Sequence, residues 1–442
     1  VPAVEHLVII GNGIAGTTIA CEVRKRKSCR ITLISNEAKS FFSRPALMYV
    51  FMGQLTLEQT QPYPEKFWAD QALERRLAKV CSVRAESRCV LLDSGETLNY
   101  DQLVIASGSR TRFPPVRGLD AKGVQGFYGL ADLQSMEAAM GRTRSAVIVG
   151  GGLIGVELAE MLLSRGKNVT MLVRETHPWG SVLPAEEGNL VAQQMRSHGL
   201  NLKCNSQLGE LHADAYGYAQ SITTQSGEAL PCQWLGLATG VQPNIEFLHG
   251  SGIPTRSGVL VDPFLATCLP GVYACGDCAE ITWPGATKVE TVWYTGRRQA
   301  EALAQTLCGR PTRYDPGIWF NSAKFFDLEY QVYGRIPPRM DNEHFSFYWQ
   351  NPEGNTCLRM VGNRKDGTLT GVHAFGIRLA HQVCSGWIAG GAQLTEAVHQ
   401  FARADFSSEF SPRHGAAIQA SFLAQFPPGS QPWLQHPTAA AR

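Results

Sequence analysis

Two Gly-rich turns of one pattern occur in this chain: Gly11-Asn12-Gly13-Ile14-Ala15-Gly16 and Gly150-Gly151-Gly152-Leu153-Ile154-Gly155. Each follows an apolar run, Leu7-Val8-Ile9-Ile10 or Ala146-Val147-Ile148-Val149. Each precedes a helix-like stretch, Thr17 to about Lys27 and Val156 to about Arg165. Strand, G-x-G-x-x-G turn and helix open a βαβ unit that binds a dinucleotide. The first glycine makes the turn, the second lets pyrophosphate approach the backbone, and the third packs helix on strand. The helix start adds oriented N–H donors. One such motif is weak, because Gly is common. Two in this context predict two bound dinucleotides that pass electrons between them.

The next strands carry ribose-side signals. Arg30 to Ser35 reads as a strand, and Glu37 lies 21 residues beyond Gly16, where an acid can accept hydrogen bonds from a ribose. Asn168 to Val173 reads as the matching strand of the second unit and ends in Arg174-Glu175. An acid there binds the ribose of NAD, and an arginine binds the extra phosphate of NADP; both are present. Glu157 sits two residues into the second helix, where it could hold a nicotinamide carboxamide or be a solvated helix-start acid favoured by the macrodipole.

An internal repeat supports two copies of one fold. The strand-like run from Leu98 closes in Ala106-Ser107-Gly108, and the run from Trp234 closes in Ala238-Thr239-Gly240. The strand-like run from Gly271 to Cys275 then leads to Gly276-Asp277, a turn that could present a carboxylate to a ribityl chain. Cys275 and Cys278 make a C-x-x-C here. The first belongs to the strand that places Asp277, so the pair reads as structural rather than as a redox disulfide. The other ten cysteines are scattered, which suits free thiols in a reducing compartment and gives no zinc spacing and no metal site.

Composition excludes other classes. With 44% apolar and 18% charged residues and a net charge of +2, nothing points to nucleic acid or an anionic membrane surface. No apolar run reaches the ~18 residues of a membrane span. The first strand starts so early that no leader is expected, and the expected location is cytoplasmic. After Pro311 the sequence turns strand-like and aromatic: Ile318 to Phe320, Leu328 to Tyr333, Phe345 to Trp349 and Leu358 to Val361. One or two helices are expected to follow, about Arg378 to Ile388 and Leu394 to Phe401.

Taken together, these motifs resemble the flavoprotein reductases with two dinucleotide-binding domains. Within them the likeness is to the ferredoxin/rubredoxin reductase group and the flavin domain of nitrite reductase. It rests on both fingerprints, Ile31 to Glu37, Ser43-Arg44-Pro45-Ala46-Leu47, Tyr100 to Gly108, Ala238 to Gly240, Gly276-Asp277, Glu290-Thr291-Val292-Trp293 and Trp319-Phe320-Asn321-Ser322.

The resemblance implies FAD at the first fingerprint and NAD(P)H at the second, with hydride passing from nicotinamide to flavin and electrons going on to a protein acceptor. It places Arg44 and Pro45 by the flavin. Val80, Ala106, Ser107, Gly108 and Arg110 would line the adenine and pyrophosphate region. Asp277 would meet the ribityl chain, with Glu290 to Trp293 and Phe320 near the isoalloxazine. Arg44, Tyr49 and Glu157 are the candidates for a direct role in catalysis.

The implied class is α/β: two doubly wound, Rossmann-like nucleotide-binding domains plus a C-terminal α+β domain. The expected boundaries are 1–113 with 241–312 for FAD, 114–240 for NAD(P)H, 313–426 for the C-terminal domain and 427–442 for a flexible tail.

Three departures qualify the likeness. Met48-Tyr49 stand where ferredoxin reductases carry Ser-Lys, no cysteine lies near Arg44 as in the thiol-using relatives, and Asn321 replaces a tryptophan. Arg174, at an arginine position of NADPH-using glutathione reductases, leans the choice towards NADPH. The rivals are a disulfide or quinone reductase, and a slow flavin-bearing interaction protein similar to apoptosis-inducing-factor relatives. The C-terminal domain could serve partner docking or a homodimer.

Overall fold

The structure, a computed structural model, describes residues 4–283 and 286–430. The tail expected from residue 427 therefore lies, from 431 onward, outside the described residues. The chain forms two compact units. Among the described residues, one comprises 4–144, 212–220 and 233–316; the other comprises 145–211, 221–232 and 317–430.

In the first unit five parallel strands lie in the spatial order Glu74–Leu77, Arg30–Ser35, His6–Ile10, Gln102–Ile105, Val272–Ala274. His6–Ile10 is buried throughout, as a central parallel strand covered on both faces must be. The strand order reverses beside it, and the carboxyl ends of the strands there frame a crevice. Helix Ile14–Arg24 packs against helix Trp293–Leu307. Ile19, Ala20 and Val23 are buried on the first, and Ala300, Leu303 and Ala304 on the second. The first helix starts three residues before the apolar period suggested, because Gly13 itself is the cap and Ile14 is already helical.

The second unit contains three parallel strands, Ser145–Val149, Asn168–Val173 and Asn201–Cys204. It also carries helices Leu153–Ser164 and Ala185–Ser197. Its C-terminal part is a five-stranded antiparallel sheet in the order Phe320–Phe325, Leu328–Gly334, Leu369–Phe375, Cys357–Asn363, His344–Gln350. Sequence reading named four of these strands. It placed the first too early, at Ile318, and missed Leu369–Phe375, where Thr370 and Gly371 weaken the apolar run. Helices His381–Ala389, Leu394–His399 and Gly415–Gln425 complete this part; the last was not anticipated. Two doubly wound nucleotide-binding halves and a C-terminal α+β part are thus the architecture of the chain.

Candidate functional site

In the first unit the glycines divide by what surrounds them. A Cβ on Gly11 would lie 2.1 Å from the Ala106 carbonyl oxygen, and one on Gly16 would lie 1.9 Å from the Gly11 oxygen. These two positions fix backbone on backbone. A Cβ on Gly13 would meet nothing within 4 Å. Gly13 also caps helix Ile14–Arg24, and no side chain bonds to that helix start. The first N–H groups of Ile14 and Ala15 are thus left for a ligand. An open glycine beside an uncapped helix start at the strand switch point fits the pyrophosphate of a dinucleotide, and FAD suits it.

Around this cradle the structure assembles Glu37, Arg44 and Asp277 with a residue not singled out from sequence, Tyr128. Arg44 grips Glu37 with two hydrogen bonds, Nη1 to Oε1 at 3.0 Å and Nη2 to Oε2 at 2.7 Å. The Leu130 N–H donates to the same carboxylate at 2.5 Å. Three of about four acceptor sites are then used, leaving one for a ribose hydroxyl. The Arg44 guanidinium lies 4.7 Å over the Tyr128 ring, and the Tyr128 hydroxyl donates to Asp277 Oδ2 at 3.3 Å. Burial pushes the Asp277 carboxyl up, against the hydrogen bond from Tyr128 and the charge of Arg44.

The remaining first-unit candidates are spread around these groups. Pro45 lies in the 3-10 turn Arg44–Ala46, and Tyr49 is half-buried on helix Leu47–Phe51. Val80 starts strand Val80–Arg84 and is buried in the core. Ser107 Oγ donates to the Asn244 carbonyl at 2.7 Å, and Arg110 pairs with Glu246. Thr239 Oγ1 donates to the Arg112 carbonyl at 2.7 Å, tying Ala238-Thr239-Gly240 to the crossing chain segment. Glu290 accepts from the Tyr314 hydroxyl at 3.0 Å and from Lys288 at 3.0 Å. Thr291 and Val292 lead into helix Trp293–Leu307.

The Cys275–Cys278 pair is fully buried. The Cys278 thiol donates to the carbonyls of Ile105 and Cys275, and burial pushes it up to about 11. Neither sulfur is placed to become an exposed thiolate.

The second unit repeats the glycine logic. A Cβ on Gly151 would lie 2.7 Å from Val173 Cγ2, whereas one on Gly152 would meet nothing within 4 Å. Gly152 caps helix Leu153–Ser164, again without a side-chain bond. Gly155 is buried one turn inside this helix, after Leu153 and Ile154. Burial, with Glu160 adding, raises the Glu157 carboxyl to about 8, so it carries a proton at neutral pH and can donate. Arg174 is 71% exposed and pairs with Glu175 at 2.9 Å. Phe320 opens the C-terminal sheet, stacked on Tyr333 with centroids 6.2 Å apart and edge-on to His381 at 4.4 Å.

Sequence reading also passed over a buried charge cluster in this unit. Glu187, on helix Ala185–Ser197, accepts from Arg359 Nε at 2.5 Å and Nη2 at 2.9 Å. His373 Nδ1 lies 3.4 Å from Glu187 but off the line of a hydrogen bond. Glu187 and Arg359 are 172 residues apart, so no local pattern could reveal them.

The signature described as pyridine nucleotide-disulphide oxidoreductase matches residues 5–300. Rhodocoxin reductase of Rhodococcus erythropolis is 29% identical over 325 residues, 72% of this chain and 76% of its own length. Rubredoxin-NAD(+) reductase of Pseudomonas putida is 26% identical over 71% of this chain and 83% of its own. The NAD(P)H nitrite reductase of Bacillus subtilis is 27% identical over 74% of this chain, which spans only 40% of that longer protein. A solved ferredoxin reductase from Rhodopseudomonas palustris is 25% identical with a TM-score of 0.76, over 84% of this chain and 91% of its own. A NAD-dependent persulfide reductase from A. fulgidus, 21% identical with a TM-score of 0.81 over 95% of this chain and 83% of its own, shares the fold. The chain belongs to the pyridine nucleotide-disulphide oxidoreductase family and is an FAD-dependent NAD(P)H oxidoreductase.

Proposed function

We propose that this enzyme takes reducing equivalents from NADPH in preference to NADH and delivers them to a small electron-carrier protein of ferredoxin or rubredoxin type. The observation that carries this is the pair of open, uncapped Gly-rich helix starts in a chain that spans most of the length of relatives named for such carriers. The bound pair, FAD and nicotinamide, supplies the hydride transfer; the protein's part is binding and alignment. The helix start at Gly13 and the carboxylates of Glu37 and Asp277 hold FAD. The helix start at Gly152 holds the nucleotide, and Arg174 meets its extra phosphate.

Glu157, carrying a proton, donates to the nicotinamide carboxamide oxygen. Arg44, Pro45, Tyr49, Glu290 and Trp293 shape the flavin surroundings. The FAD domain is 1–113 with 241–312, the nucleotide domain 114–240 and the C-terminal domain 313–426. The enzyme works in the cytoplasm, and no described helix is long and apolar enough to cross a membrane. The C-terminal domain serves carrier docking or pairing of two copies, which light scattering separates.

The test is anaerobic turnover with NADPH and a panel of purified ferredoxins, rubredoxins, quinones and disulfides. Bleaching of an iron-protein carrier well ahead of the other acceptors is expected. Faster turnover of a disulfide or quinone would replace the carrier reading.

A further inference from the structure

We infer that Tyr128 is a positioning residue of the FAD crevice: its hydroxyl fixes the Asp277 carboxylate, and it stays in place when the dinucleotide binds. This rests on the proposed role of Asp277 towards the ribityl chain. The Tyr128 hydroxyl is used in both senses. It accepts from the Ser109 N–H at 2.8 Å and donates to Asp277 Oδ2 at 3.3 Å. It therefore joins the chain just after Gly108 to the chain just after Gly276, the ends of two neighbouring strands of the sheet.

The rest of the residue is held as firmly. Its N–H donates to Asp132 Oδ2 at 2.8 Å, its carbonyl accepts from Arg44 Nη1 at 2.8 Å, and the Arg44 guanidinium covers its ring. Arg44 cannot swing away, because Glu37 grips it through both nitrogens.

Two glycines are fitted to this arrangement. A Cβ on Gly108 would lie 2.7 Å from the Tyr128 hydroxyl, and one on Gly129 would lie 2.5 Å from Glu37 Oε1. A ring held at its face, hydroxyl and backbone is a wall and not a gate. A carboxylate turns easily about its last torsion. With Oδ2 tied to Tyr128, Asp277 presents its other oxygen in one direction, so less freedom is lost on binding.

The experiment is FAD titration of the apoprotein, following flavin fluorescence, for wild type, Tyr128→Phe, Asp277→Asn and the double variant. Tyr128→Phe is expected to raise the FAD Kd about tenfold, the scale of one hydrogen bond to a charged partner. Asp277→Asn is expected to raise it further. The double variant should bind little worse than Asp277→Asn alone, since Tyr128 acts through that carboxylate. Losses that multiply in the double variant would reduce Tyr128 to packing and overturn the inference. Tighter FAD binding by Tyr128→Phe would make the phenol a placeholder and overturn it too. If Asp277→Asn weakens binding and Tyr128→Phe does not, the inference fails and the reading of the crevice stands. If neither variant moves Kd, both fail.

Discussion

Replacing Gly13 with alanine separates binding from folding in this chain. Gly13 has φ −67° and ψ −170°, a conformation any residue adopts, and its Cβ would meet nothing within 4 Å. The methyl therefore costs the fold little. Alanine is a slightly poorer cap than glycine, and it narrows the unfolded chain by a similar amount, so the net change stays within about 1 kcal/mol. The ligand is affected far more. Phosphate oxygens approach backbone N–H groups at about 2.9 Å, and a methyl on the intervening Cα holds them off. Losing one charge-assisted hydrogen bond, about 1.5–3 kcal/mol, weakens FAD roughly 10- to 100-fold.

Gly16→Ala behaves oppositely. Its Cβ, 1.9 Å from the Gly11 oxygen, forces helix and turn apart. The assay pairs apoprotein melting with FAD titration. Gly13→Ala should melt like wild type and bind FAD poorly, whereas Gly16→Ala should melt early. Gly152→Ala should keep FAD and lose nicotinamide nucleotide. Wild-type FAD affinity in Gly13→Ala would refute the placing of the pyrophosphate.

Other outcomes follow from the same geometry. Arg359→Met strands the fully buried Glu187 carboxylate, at a cost of about 3–5 kcal/mol, so melting should fall by roughly 6–20 °C. The double change Glu187→Leu with Arg359→Met should restore most of it, and an unshifted single variant would show the pair to be idle. Burial pushes Glu187 up, but His373 and Arg359 outweigh it and hold the carboxyl at about 2, against an ordinary 4.5. Its contribution of about 3 kcal/mol is therefore present above pH 4.5 and lost as pH falls from there towards 2. Denaturation profiles of wild type should show that acid slope, and those of the double variant should lack it. Arg174→Ala should raise the KM for NADPH far more than that for NADH; equal effects would remove Arg174 from the phosphate. Thiol titration before and after NADPH should find Cys275 and Cys278 unreactive, whereas two new thiols after reduction would establish a redox disulfide.

The parts of this protein written locally were legible in its sequence. A strand, a Gly-rich turn and a helix are contiguous, so Gly11 to Gly16 and Gly150 to Gly155 announced their folds, and Asn168–Val173 was placed to the residue. What escaped was non-local. Tyr128 comes between the two fingerprint units in the chain, in a stretch with no motif, and only folding brings its hydroxyl to Asp277, 149 residues away. Glu37 was legible as an acid in a ribose position, but its grip by Arg44 was not, because Arg44 lies seven positions on, across irregular chain. The strand Leu369–Phe375 was hidden by Thr370 and Gly371, although it is central in its sheet and mostly buried.

The most direct test of the central claim is anaerobic stopped-flow reduction of the purified holoprotein, following the flavin absorption band with NADH and NADPH in parallel. Rapid bleaching, faster with NADPH, is the predicted result and names the donor. Slow or absent bleaching by both nucleotides would mean that the site at Gly152 does not present a working hydride donor, and would contradict the reductase account.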